Sequence, residues 1–140
     1  MREYELSLDG YEITRWEYKE LLAFCRQYEE KLERAEDLLH KTSASLNGMP
    51  RGCNTSDPVC AAVIQREKLL GDCSIINSAA FEVDPDVTNC VAIIRNVTQG
   101  VPYEQLQFHG SRATFFRMRR KFFFLLRNKK LRPWGNTNVL

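Results

Sequence analysis

The chain has 140 residues, of which 44% are hydrophobic and 27% charged. These are ordinary values for a soluble globular protein of one domain, or one small domain with a helical appendage. The net charge of +2 hides a polarity: residues 1–40 hold six basic and eleven acidic groups, residues 41–104 five and seven, and residues 105–140 nine and none. The opening stretch MREYELSLDGYEIT is too charged for a signal peptide, and no apolar run approaches spanning length. The expected compartment is the cytoplasm, with no membrane partner.

Residues 1–13 read as an N-terminal arm, loose or with a short strand-like segment. Thr14 followed by Glu17 has the spacing of a capping box, in which each side chain satisfies an otherwise unpaired backbone N–H. Behind it Tyr18, Leu21, Cys25, Tyr28, Leu32, Ala35 and Leu39 alternate steps of three and four among Glu, Lys, Arg and Gln. That seam predicts one long amphipathic helix over about 14–40.

The following loop, KTSASLNGMPRGCNTSDP, carries Gly48, Pro50, Gly52 and Pro58 and cannot continue a helix. Ser56 or Asp57 supplies a cap and Pro58 the first helical position of a second helix, over about 57–82. Its seam runs through Val59, Ala62, Arg66, Leu69, Cys73, Ile76 and Ala80. Residues 14–83 therefore read as a long helical hairpin, with a self-associating coiled coil, and so a homodimer through the N-terminal helices, as the competing arrangement.

Val83-Asp84-Pro85-Asp86 is a stop and a fresh start. Residues 84–130 are expected to form a trihelical helix-turn-helix unit, with 131–140 as a tail. Val87, Val91, Ile94 and Val97 offer the packing face of its first helix. Pro102 opens a short second helix with Tyr103, Leu106 and Gln107. Gly110 makes the turn, and Ser111 caps a third helix over 111–127. The fold class expected is thus all-α, a helical hairpin followed by a helix-turn-helix domain.

In the third helix Phe115, Met118 (or Arg119 by its stem), Phe122 and Leu126 follow helical spacing and should be buried, and Phe123 and Leu125 can dock on the N-terminal helices. Phe116 stays open between core, thymine-methyl contact and partner surface. A recognition helix presents its N-terminal residues to base edges, and Arg can hold guanine through two hydrogen bonds. Arg112, Thr114 and Arg117 are therefore the candidate base readers of double-stranded DNA. Ser111, Arg119, Arg120 and Lys121 are the candidate phosphate ligands. A basic helix against an acidic protein, or a plain solvated face, are the competing explanations.

Catalysis finds no support in the motifs. There is no glycine-rich phosphate loop, no H-E-x-x-H and no Ser-His-acid spacing, so neither an enzyme nor a cofactor is expected. The five cysteines include no C-x-x-C pair, and His40 and His109 lie at no zinc-finger spacing from a cysteine pair. No metal is expected, and the cysteines read as small buried hydrophobes.

Two stretches carry a resemblance: the loop LNGMPRG with SDP (Leu46 to Pro58), and NVTQGVPYEQL…SRATFFRMRRKFFFLL (Asn96 to Leu126). Together they resemble phage late-gene transcriptional regulators of the ArpU and RinA type, over about residues 14–130. Members of that group join a helical N-terminal part to a helix-turn-helix similar to sigma factor region four. The resemblance implies activation of late phage operons in a bacterial host cell, with RNA polymerase as a candidate second partner. It also implies recognition residues at Ser111, Arg112, Thr114, Arg117 and Lys121. The role of Met49-Pro50-Arg51-Gly52 has no physical account beyond turn chemistry. Two other functions compete: a small terminase-like DNA-recognition subunit, and a phage-encoded inhibitor of a host protein or ribonucleoprotein.

Overall fold

The computed structural model describes residues 11–45 and 57–131, and among these every regular element is helical. The elements are α1 (Arg15–Arg26), α2 (Tyr28–Ser45), α3 (Pro58–Val83), α4 (Val87–Gln99), a 3-10 turn (Tyr103–Gln105) and α5 (Arg112–Leu131). Most of the expected arm and tail, and the Met49-Pro50-Arg51-Gly52 loop, lie outside the described residues. Among the described residues no helix is long and apolar enough to cross a membrane.

The chain forms two compact units, Tyr28–Ser74 and, from both sides of it in sequence, Met1–Gln27 with Ile75–Leu140. The one helix expected over 14–40 is two helices. Gln27 stands between them at φ −89° and ψ 1°, its N–H turned back to the carbonyls of Cys25 and Phe24.

In the Tyr28–Ser74 unit α2 and the first part of α3 run antiparallel. The Cys73 thiol donates to the Tyr28 carbonyl at 3.6 Å, the Lys31 ammonium meets Asp72 at 3.0 Å, and Arg66 Nε donates to the Ala35 carbonyl at 3.2 Å. The basic residue in the α3 seam is thus explained. Arg66 lays its stem in the contact and spends its N–H on a helix carbonyl of α2. Burial pushes the Cys73 thiol above its ordinary pKa, and it does the same at Cys90. Such thiols are poor nucleophiles. Cys25, Cys73 and Cys90 are free, but Cys60 is disulfide-bonded, which corrects the reading of all five as simple hydrophobes.

The other unit is built around α1, which packs on α4 and α5. The Thr14–Glu17 capping box forms as expected, both bonds at 3.1 Å. Such a cap stabilises a helix start by about 1 kcal/mol. Leu21 and Cys25 of α1 are buried with Ile76, Ala79 and Ala80 of α3, Ala92, Ile93 and Val97 of α4, and Phe115, Phe122, Phe123 and Leu126 of α5.

The buried face of α4 keeps Val97 of the expected residues but not Val87 and Val91. Val87 is 73% and Val91 46% exposed, while Asn89, Ala92, Ile93 and Val97 go inward. The helix is rotated because Asn89 is claimed by the segment that follows α4. Its Oδ1 accepts the His109 N–H at 2.7 Å, and its Nδ2 donates to Asp84 at 2.8 Å. Gly100 closes α4 in the left-handed conformation, φ 74°, where a Cβ would press within 3.2 Å of the Arg26 guanidinium. Arg26 itself donates to the Val97 carbonyl at 3.1 Å, joining α1 to the end of α4.

Candidate nucleic-acid interface

The second helix expected from Pro102 is replaced by a single 3-10 turn, Tyr103–Gln105, after which Leu106 returns to extended backbone at ψ 151°. An aromatic cluster takes over the work of a second helix in positioning α5. The Tyr103 ring lies 5.2 Å from Phe115 and 6.2 Å from Phe108, and Phe108 stands edge-on to Phe115 at 5.2 Å. The Tyr103 hydroxyl donates to the Gly110 carbonyl at 3.3 Å. Gly110 itself has φ 149°, and a Cβ there would come within 2.9 Å of the Phe108 ring. Only glycine lets the chain turn this closely under that ring.

The same segment is pinned to the start of α4. Asp86 caps α4 by accepting the N–H groups of Thr88 at 2.9 Å and Asn89 at 3.4 Å, and its other oxygen meets His109 Nδ1 at 2.9 Å. The His109 bond, with these backbone bonds behind it, holds the Asp86 carboxyl below its ordinary value near 3.8. A depressed folded pKa contributes stability that is complete above the unfolded value and is lost as pH falls through the folded one. Wild type should therefore exceed Asp86→Asn in melting temperature at about pH 6, with the gap narrowing as pH drops below the usual carboxylate range, to about pH 3. A gap constant over that range would remove Asp86 ionisation from the account.

Ser111 opens α5, its Oγ accepting the Thr114 N–H at 3.1 Å and lying 2.9 Å from the Thr114 hydroxyl. The expected cap is therefore present, and it occupies the oxygen also proposed for phosphate. Past the cap, the expected site residues separate. Arg112 is turned toward the connecting segment: it is ion-paired with Glu104 and stacks over Tyr103 at 5.5 Å and Phe116 at 5.1 Å. The Glu104 carboxyl is held below its ordinary pKa by its own backbone N–H and then by Arg112. Phe116, left open by the sequence, lies half-buried between Arg112 and the Tyr103 and Phe115 rings.

Arg119, expected both to bury its stem and to reach a phosphate, lies inside. It is only 6% exposed. Its Nε donates to Asn96 Oδ1 at 2.6 Å and its Nη2 to the Tyr18 hydroxyl at 3.2 Å, while the guanidinium covers the Phe123 ring at 4.9 Å. Asn96 in turn donates to the Val101 carbonyl at 2.9 Å. Arg119 thus ties α1, α4 and α5 together from inside, through its Nε and Nη2 donors.

Thr114, Arg117 and Lys121 follow one another at steps of three and four along α5, on one side of the helix. Arg117 and Lys121 are exposed, Thr114 is half-buried, and Arg120 beside them is half-buried. The C-terminal cations are otherwise largely spent within the unit. Arg127 lies 3.7 Å from Glu17, Lys129 pairs with Glu82, and Lys130 covers the Phe24 ring at 4.4 Å. The acid-free sequence after Glu104 meets acids brought from α1, α3 and the 3-10 turn. This pairing is what composition could not display.

A cavity of about 470 Å³ opens between α4 and residues 105–107, lined by Val87, Val91, Ala92, Arg95 and Leu106 among others. Among the described residues no group of three or more His, Cys, Asp or Glu gathers as a metal site. The chain matches no family model, no curated protein and no solved structure, so the functional reading rests on the outward face of α5 and the elements that hold it.

Proposed function

We propose that this chain is a sequence-specific DNA-binding transcriptional regulator that lays α5 in the major groove of double-stranded DNA, as the resemblance to phage late-gene regulators implies. The observation that carries the reading is the face of α5 bearing Thr114, Arg117 and Lys121, outside a helix whose opposite side is buried. A helix of this kind fits the groove, and its first turns are where base edges come within reach. Thr114 and Arg117 are assigned to bases, and Lys121 to a phosphate. Arg112 joins them only when it leaves Glu104. RNA polymerase remains a proposed second partner, and no catalytic step is assigned to any residue.

The testing experiment measures binding to DNA fragments from the gene's own neighbourhood against shuffled fragments, over a range of salt. A preference that survives at about 150 mM salt supports a sequence reader, whereas equal and steeply salt-sensitive binding reduces it to a non-specific electrostatic term. No binding even at low salt overturns the proposal. It would turn attention to the protein-inhibitor reading, which the exposed Val87 and Val91 beside the α4 cavity favour. DNA preference together with a ring-like assembly would point to the terminase-like subunit.

A further inference from the structure

Within the Tyr28–Ser74 unit, α3 carries an outward face with a pattern of its own. Ile64, Glu67, Lys68 and Gly71 are all exposed, Ile64 at 52%, and they follow the i, i+3, i+4, i+7 spacing of one helix side. A Cβ placed on Gly71 would meet nothing within 4 Å. Glycine weakens an exposed helix interior relative to alanine, because it has more backbone freedom to lose on folding. The acid one turn beyond Lys68, Asp72, is taken by Lys31 at 3.0 Å.

We propose that this face is a contact between two copies of the chain, α3 against α3, antiparallel about a two-fold axis between Glu67 and Lys68. In that register Ile64 lies opposite the second copy's Gly71, and Glu67 opposite its Lys68. The symmetry repeats both pairings. A branched apolar knob enters the gap that a glycine leaves, and each carboxylate faces an ammonium. The parallel arrangement sets Glu67 against Glu67 and Lys68 against Lys68, so the charge order itself selects the antiparallel one. The second copy is the fitting occupant because one face of four residues supplies both halves of the complementarity. One helix face buries less than the roughly 800 Å² per partner of a standard interface, so the dimer is reversible and concentration-dependent. This surface is distinct from the α1–α2 seam expected to dimerise from sequence, and its formation needs no nucleic acid.

Sedimentation velocity of the full chain over a wide concentration range tests it. Wild type should pass from monomer to dimer. E67K and K68E should each weaken the dimer roughly tenfold, since two attractive surface pairs become two repulsive ones, and the double variant E67K/K68E should return it to within about threefold of wild type. Gly71→Ala should raise the melting temperature while weakening association, a pair of opposite effects that a merely structural glycine does not give. Circular dichroism confirms that each variant is folded. A wild type that stays monomeric throughout, single exchanges without effect, or a double exchange that fails to restore the dimer would each overturn the proposal. None of these outcomes bears on whether α5 binds DNA.

Discussion

Replacing Arg119 by alanine should destabilise the protein by about 3 kcal/mol, a large part of the total stability of a domain of this size. The loss has three sources. The Asn96 carboxamide oxygen and the Tyr18 hydroxyl lose their guanidinium donors, at 2.6 and 3.2 Å. A void opens beside Phe123, over which the guanidinium sits. The link by which α5 holds both α1 and α4 is cut. Arg119→Met, which keeps the stem and removes the donors, should cost less than alanine, because the packing share survives. Urea unfolding of both variants measures the two shares. The same pair separates a core role from a phosphate contact. A folded Arg119→Met protein should bind DNA with an unchanged salt slope, since Arg119 is 6% exposed. A phosphate ligand would lower that slope by about one. Unchanged stability with a reduced slope would restore Arg119 to the DNA surface.

What could and could not be read from the sequence follows the range of each interaction. The Thr14–Glu17 box is local, two side chains three residues apart, and it forms as its spacing indicates. The burial of Phe115, Phe122 and Leu126 was legible for the same reason, since helical spacing alone selects the inner side of α5. Asn89 was not legible as a core residue, and of Arg119 only the stem was. Each goes inward because a partner from elsewhere in the chain satisfies it: the His109 N–H at 2.7 Å and the Tyr18 hydroxyl at 3.2 Å. A polar residue reads as surface until such partners are known. Asn89 then rotates α4 and leaves Val87 and Val91 outside, where alternation of apolar residues had placed them in. The 3-10 turn replaces a helix because the short segment between Gly100 and Ser111 is held by aromatic contacts and by Asp86, rather than by its own backbone ladder.

Charge carries the same lesson. Counted along the chain, the last stretch is uniformly cationic. In space Arg112, Arg127 and Lys129 stand against Glu104, Glu17 and Glu82. Composition therefore overstates the field available to a nucleic acid, and Arg117 and Lys121 gain in importance as exposed cations of the face that remains.

Reversing both charges in Arg117→Glu/Lys121→Glu should accordingly lower affinity for the preferred DNA site roughly a hundredfold while leaving the melting temperature close to wild type. The two halves of the prediction have different physical origins. Both side chains are exposed, and surface substitutions away from packed or capped positions typically change stability by about 0.5 kcal/mol or less. In the groove each reversal both removes an attraction and sets a carboxylate against the phosphate backbone. Single alanine variants divide the roles. Arg117→Ala should cost about 1–3 kcal/mol on the preferred sequence and relax discrimination at one base pair. Lys121→Ala should weaken preferred and random fragments alike and reduce the salt slope by about one. Glu104→Gln acts in the opposite direction. Freed of its carboxylate partner, Arg112 can swing from the Tyr103 and Phe116 rings toward the DNA, and affinity should rise rather than fall. Fluorescence anisotropy with matched and shuffled duplexes at several salt concentrations reads all four variants on one scale. If the double reversal binds as wild type does, the outward face of α5 is not where this protein meets DNA.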